Sequence, residues 1–191
     1  SRALKDSPEI SRELCAKAKA LAKEMNYRPN PFAMSLRKNA PRIIGVIVPD
    51  IVTHFFASIL NGIENMAIAN GYFVIITTSH ESYEHEKRNI ENLVNMRVEG
   101  IIACLSQETT DFSHISALKD INMPLILFDR VCLTDQFSSV IADGAQSAQM
   151  ATQHLLDNGS ERVAFIGGAN HLDIVKRRKH GYLEALRENR I

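Results

Sequence analysis

RIIGVIVPDIVTHFFASILNGIENMAIANGYFVIITTS (residues 42–79) changes its hydrophobic rhythm twice. It opens on an unbroken apolar run rich in Ile and Val, of the kind a strand buried on both faces requires. From His54 the apolar residues recur at helical spacing as far as Asn70. Gly71 follows, where a left-handed cap closes a helix, and a second β-rich run, YFVIITTS, begins at once. Strand, helix, strand in so short a span predicts a βαβ unit, and so a parallel sheet.

The same alternation continues outward. Further strands are predicted at GIIACLS, PLILFDR, SSVIAD and RVAFIGG. Helices are predicted at YEHEKRNIENLVNM, FSHISALKDI and AQSAQMATQHLLDN, with a last one from about Asp173. Gly100 and Gly159 stand, like Gly71, where helices are expected to end. The class is an open α/β sheet, and its ligands are expected beyond the carboxyl ends of the strands. Those ends carry Pro49 to Phe56, Ser79 to Tyr83, Ser106 to Glu108, Asp129 to Arg130 and Gly168 to Asp173. Hydroxyls, carboxylates, an Arg and two adjacent aromatics suit a polar small molecule with one apolar face.

Upstream, the composition differs. Residues 1–42 hold ten Lys or Arg against four acids, while the whole chain of 191 residues is formally neutral. A basic arm on an acidic body points to a polyanionic partner for the arm. Within it, Leu14, Ala18, Leu21 and Met25 form one helical stripe, Ser11 is the expected N-cap, and Pro29 and Pro31 are expected to stop the helix. The next stretch, NPFAMSLRKNAPR (residues 30–42), is oddly apolar for a linker. Three scattered cysteines, Cys15, Cys104 and Cys132, form no C-x-x-C pair and read as idle thiols in a reducing cytoplasm. No apolar run approaches the roughly 18 residues of a membrane span.

Catalytic and metal chemistry find little support. His80 and His85 in SHESYEHE are five apart, which does not align two ligands on a helix face. Glu84 and Glu86 read as a solvated helix face near a positive N-terminus. There is no phosphate loop, no dinucleotide fingerprint and no G-x-S-x-G elbow. The expectation is no enzyme, no cofactor and no metal. Phe55 and Phe56 diverge by about 100° on a helix, so one packs and the other is free to line the cleft. Arg177 and Arg178 both stand near the cleft mouth, and spacing does not choose between them.

The ordered series SRALKDSPEIS, NYRPNPFAMSLR, IIGVIVPDIVTHFF, VEGIIA, PLILFDR, VIAD, HLLDNGSERVAFIGG and RRKHGYLEAL resembles the LacI/GalR (lactose-repressor) family of bacterial transcription regulators across essentially the whole chain. The resemblance implies an α/β, periplasmic-binding-protein-like body of two parallel-sheet lobes, preceded by an all-α helix-turn-helix head and a hinge. On it, residues 1–28 are the remnant of the head, 29–41 the hinge, 42–138 the N-terminal lobe and 139–191 the start of a truncated C-terminal lobe. The chain is expected to be a fragment, shortened at both ends.

The same resemblance implies site residues. Ser1 and Arg2 match the end of the recognition helix, and Tyr27 and Asn30 match positions near the phosphate backbone. Ala33 and Leu36 match the minor-groove hinge helix, with Leu36 as the apolar wedge and Arg37 the basic residue beside it. Met34 stands where the family often has Arg, and its role stays open. Phe56 matches an aromatic effector contact, with Phe55 beside it, while Asp129 matches a polar contact and Arg178 the effector-binding Arg. Leu172 and Ile174 are apolar where purine-responsive members are polar, which favours a sugar or sugar derivative. The implied partners are operator DNA, that effector and a second copy in a homodimer, in the cytoplasm and away from membranes. The alternative reading is a small-molecule-binding protein without a DNA role.

Overall fold

The computed structural model describes residues 3–5, 8–27 and 42–191, in two compact units that divide at Pro41. In the first, a 3₁₀ turn (Ala3–Lys5) precedes helix α1 (Arg12–Glu24). Ser11 caps α1 as expected, its hydroxyl accepting the Leu14 N–H at 3.3 Å. The helix stops at Glu24, ahead of the prolines that were expected to end it. Asn26 takes the left-handed conformation (φ 47°), and the Tyr27 N–H closes back on the Ala22 carbonyl at 2.8 Å. Leu14, Leu21 and Met25 of the apolar stripe are exposed, whereas Cys15 is buried.

The second unit carries five strands: β1 (Ile43–Val48), β2 (Phe73–Thr78), β3 (Gly100–Ala103), β4 (Leu125–Phe128) and β5 (Ser138–Val140). They pair in the order β2-β1-β3-β4-β5, every neighbour parallel. The crossovers are α2 (His54–Ala69), α3 (Tyr83–Asn95) and α4 (Ser113–Asp120), and α5 (Gly144–Asp157) and α6 (Asp173–Glu188) follow. Alternation along β1 sorts the core into two. Ile43 and Ile47 join Ile101, Leu125 and Leu127 against Ile90 and Leu93 of α3 and Ile115 and Leu118 of α4. Val46 and Val48 turn the other way, with Phe128, against Phe56 and Leu60 of α2. Gly45 permits the close approach of α3, since a Cβ there would lie 2.6 Å from Leu93 Cδ1.

The sequence-based elements are met with three corrections. Gly71 and Gly159 are left-handed (φ 74° and 88°), but Gly100 opens β3, and the left-handed residue after α3 is Arg97 (φ 57°). Residues 162–168 (RVAFIGG) form no strand. A ladder needs a neighbour to bond to, and here the segment lies against α6 instead. Tyr182 donates its hydroxyl to the Val163 carbonyl at 2.8 Å and stacks on Phe165 with ring centroids 5.5 Å apart, leaving Ile166 96% exposed. The third correction is Glu86, which faces the interior.

Helices α5 and α6 pack backbone to backbone at Gly181. A Cβ on Gly181 of α6 would lie 1.9 Å from the Ala145 carbonyl oxygen, so the pair closes only over glycine.

Candidate functional site

All five strands point the same way, so their carboxyl ends gather on one edge. At the end of β1, Asp50 Oδ1 accepts the N–H groups of Val52 and Thr53, both at 2.9 Å, and turns the chain into α2. The Thr53 amide, with help from Val52 and the Arg130 charge, holds the Asp50 carboxyl below its ordinary range. After β2 the chain takes two successive left-handed residues, His80 (φ 52°) and Glu81 (φ 60°). That turn aims Glu81 across the sheet.

Glu81 receives a fork from Arg130, which follows β4, with Nη1 to Oε2 at 2.6 Å and Nη2 to Oε1 at 2.9 Å. The pair spans the ends of β1 and β3, three strand spacings or roughly 14 Å. Glu81 also accepts the Gln107 N–H at 2.7 Å, and Arg130 reaches the Leu105 carbonyl at 3.2 Å. Such two-point charge-assisted bonding fixes direction as well as distance.

Behind this clamp lies a second carboxylate. Glu86 is 0% exposed. It accepts the Ser106 N–H, the Thr109 hydroxyl at 2.9 Å and His114 Nε2–H at 2.8 Å. Four titratable or polar groups thus hold residues 106–114 in one conformation. Glu84, on the same first turn of α3, is exposed as expected. Glu86 differs because it stands at i, i+4 and i+7 with Ile90 and Leu93, the buried stripe of that helix. The spacing was a readable signal, overridden by the charge.

Those loops wall a cleft of about 400 Å³, lined by Ser106, Thr109 and Arg130 on the sheet side and by His171, Asp173 and Lys176 at the start of α6. His171 joins the two walls, its Nε2–H donating to the Gln107 carbonyl at 2.6 Å. A carbonyl only accepts, so this contact fixes the proton on Nε2.

The expected effector residues stand near the starts of α2 and α6 and just after β4. Phe55 is half exposed and meets Phe56 edge-on at 5.1 Å. Phe56 is 5% exposed and packs on Phe128 at 6.4 Å, immediately before Asp129. Asp129 is half buried, and that burial raises its carboxyl pKa against the opposing charges of Arg130 and Arg178. Arg178 lies against Gly144 at the start of α5, and its charge reaches Asp129. Arg177 is occupied by an i, i+4 bond to Asp173. Of the DNA-side residues, Tyr27 is described, exposed at the end of α1; Ser1, Arg2, Asn30, Ala33, Leu36 and Arg37 lie outside the described residues, as does Met34.

Cys104 and Cys132 are both pushed up to about 12 by burial, so both are inert thiols at neutral pH. Among the described residues no three His, Cys, Asp or Glu side chains are grouped to hold a metal, and no helix is long and apolar enough to cross a membrane.

Residues 42–190 match the family described as periplasmic binding proteins and sugar binding domain of LacI family. The chain is 31% identical over 194 residues to catabolite control protein A of Priestia megaterium, covering 99% of this chain and 57% of that protein. It is 30% identical to the ribose operon repressor of Bacillus subtilis, covering 98% of this chain and 56% of the repressor. Among solved structures, the Cra transcriptional dual regulator of Pseudomonas putida in complex with fructose 1-phosphate superimposes with a TM-score of 0.72. That match has 27% identity and covers 76% of this chain and 54% of that one. The chain therefore spans a little over half the length of the curated relatives it matches.

Proposed function

The chain belongs to the LacI family, and on that premise we propose that the whole protein is a cytoplasmic DNA-binding transcriptional regulator governed by a small effector, a sugar or sugar derivative. The observation that supports this reading is a half-buried Asp129 just after β4, within reach of the Arg178 charge, on the same sheet edge as the exposed Phe55 ring at the start of α2. A ring, a carboxylate and a guanidinium on one edge offer a sugar an apolar face to stack on and two groups to bond its hydroxyls. Phe56 meets Phe55 edge-on and presents little surface of its own.

Residues 42–138 and 139–191 are, on this reading, the N-terminal lobe and the start of the C-terminal lobe, with the effector between them. Residues 1–28 belong to the helix-turn-helix head. Residues 29–41 form the hinge, where Ala33 and Leu36 enter the minor groove, Leu36 wedges a base step and Arg37 meets phosphate. Ser1, Arg2, Tyr27 and Asn30 contribute contacts to bases or backbone. A homodimer places two heads on two operator half-sites. Effector binding shifts the population of lobe arrangements, and hinge order with it. The proposal extends to this chain what the relatives' names say of a ribose operon repressor and of a regulator bound to a sugar phosphate.

The test uses the whole protein. Thermal shift against mono- and oligosaccharides, sugar phosphates and purines is expected to give a hit among the sugars, and binding to upstream duplex DNA is expected to fall steeply with salt. No sugar hit removes the effector half of the proposal, and a flat salt response removes the DNA half. Leu36→Ala is expected to weaken operator binding more than nonspecific binding.

A further inference from the structure

Resting on the two-lobed reading, we infer that His171 and Gln107 form a latch across the cleft, and that Glu81 is the positioning residue that seats it. Beyond the covalent chain itself, the His171–Gln107 bond is the one hydrogen bond among the described residues that joins residues 42–140 to residues 141–191. No ion pair among them makes that crossing. The bond stands at the rim of the cleft of about 400 Å³, which is lined by Ser106 on one side and by His171 itself on the other.

The seat of the latch is fixed from three directions. Arg130 donates to the Leu105 carbonyl at 3.2 Å, Glu86 accepts the Ser106 N–H, and Glu81 accepts the Gln107 N–H at 2.7 Å. Three consecutive residues are thus each held through the backbone by a charged side chain from another segment. Glu81 Oε2 also takes Arg130 Nη1, so one oxygen ties a cleft-lining guanidinium to the residue that carries the latch. The Gln107 carbonyl is thereby a preset acceptor. The opposite side is stiff as well. His171 directly precedes Leu172, the N-cap of α6, whose N–H closes a turn on the Ala169 carbonyl at 3.2 Å. Helix α6 in turn lies on α5 at Gly181, where no Cβ fits. A bond between two such bodies sets the width of the cleft. His171 and Gln107 are both exposed, so water competes for their bond and it shifts an equilibrium only a few-fold. That strength biases the closed population without locking it, and a ligand that touches both walls gains affinity in proportion to the closed fraction.

The experiment is pulsed dipolar EPR on the whole protein without added sugar, with spin labels at Glu91→Cys on α3 and Lys179→Cys on α6, both exposed positions. Excess unlabelled protein restricts the signal to distances within one chain. His171→Ala is expected to raise the ratio of long to short separations about threefold or more, the range of one hydrogen bond. His171→Gln, which keeps an N–H donor, is expected to restore the original distribution. Glu81→Ala is expected to widen the cleft like His171→Ala and to add nothing beside it, since both act on one bond. Glu81→Gln, which keeps an acceptor for the Gln107 N–H, is expected to retain the latch. A distribution unchanged by His171→Ala overturns the latch, and a Glu81→Ala effect that persists in full beside His171→Ala overturns the positioning role. No sugar enters the measurement, so either result leaves the sugar-effector reading standing, and the thermal-shift screen tests that reading separately.

Discussion

Glu86 and His114, 28 residues apart in sequence, meet at 2.8 Å with their side chains 1% and 4% exposed, and the wall of the cleft hangs from that contact. Because Ser106 and Thr109 bond the same carboxylate, one side chain fixes the whole segment between β3 and α4.

Removing that carboxylate leaves three donors facing a void. Glu86→Ala is expected to lower stability by about 3 to 5 kcal/mol, the range for breaking a buried pair by one partner. Glu86→Gln, which keeps one acceptor oxygen, is expected to fall between. Urea unfolding of both variants measures this, and a loss below about 1 kcal/mol for the alanine variant contradicts the assignment.

Two glycines in helices separate packing from propensity. Gly181→Ala drives a methyl into the Ala145 carbonyl and is expected to cost at least about 2 kcal/mol. Gly62→Ala, on α2, meets nothing within 4 Å. It is expected to stabilise by about 0.5 to 1 kcal/mol, the gain from relieving glycine's backbone entropy in a helix. Equal effects in thermal unfolding would show that the close approach of α5 and α6 is absent in solution.

The buried thiols give an alkaline signature. Cys104 ionises near 9.0 when unfolded and at about 12 when folded, because burial penalises the thiolate. The unfolded chain therefore releases its proton first as pH rises. Stability from this source is complete below about 9 and is lost progressively between about 9 and about 12. Cys104→Ala is expected to flatten that decline in denaturation curves taken across the interval. An unchanged slope refutes the burial effect.

Arg97 ends α3 in the left-handed region at φ 57°, a conformation that costs a side-chain-bearing residue about 1 kcal/mol. Arg97→Gly is accordingly expected to raise the unfolding midpoint by a few degrees. A lower midpoint would mean that the Arg97 side chain contributes more than its backbone costs.

The parallel sheet was legible because its rhythm is local: a run of Ile and Val, a helical stripe and a cap repeat along residues 42–157. The strand expected at residues 162–168 rested on composition alone, and a strand is a relation between two segments. Glu86 was legible in position but not in kind, since its place on the stripe with Ile90 and Leu93 spoke for burial and its charge against it. The Glu81–Arg130 clamp was not legible at all. Its partners lie 49 residues apart, on the loops after β2 and β4, and only the strand order brings them across one edge. The aromatic pair needed the structure to assign Phe56 to the core and Phe55 to the surface.

Asp129 stands at φ 58° at the very corner where β4 gives way to the cleft. Glycine, Asn and Asp occupy that region at least cost, and any other side chain there adds about 1 kcal/mol of backbone strain. The corner therefore penalises every replacement that is not a carboxylate, an amide or a bare backbone. A change of ligand preference in a descendant of this chain comes more easily through Arg178 or Phe55, which sit in helices and carry no such cost.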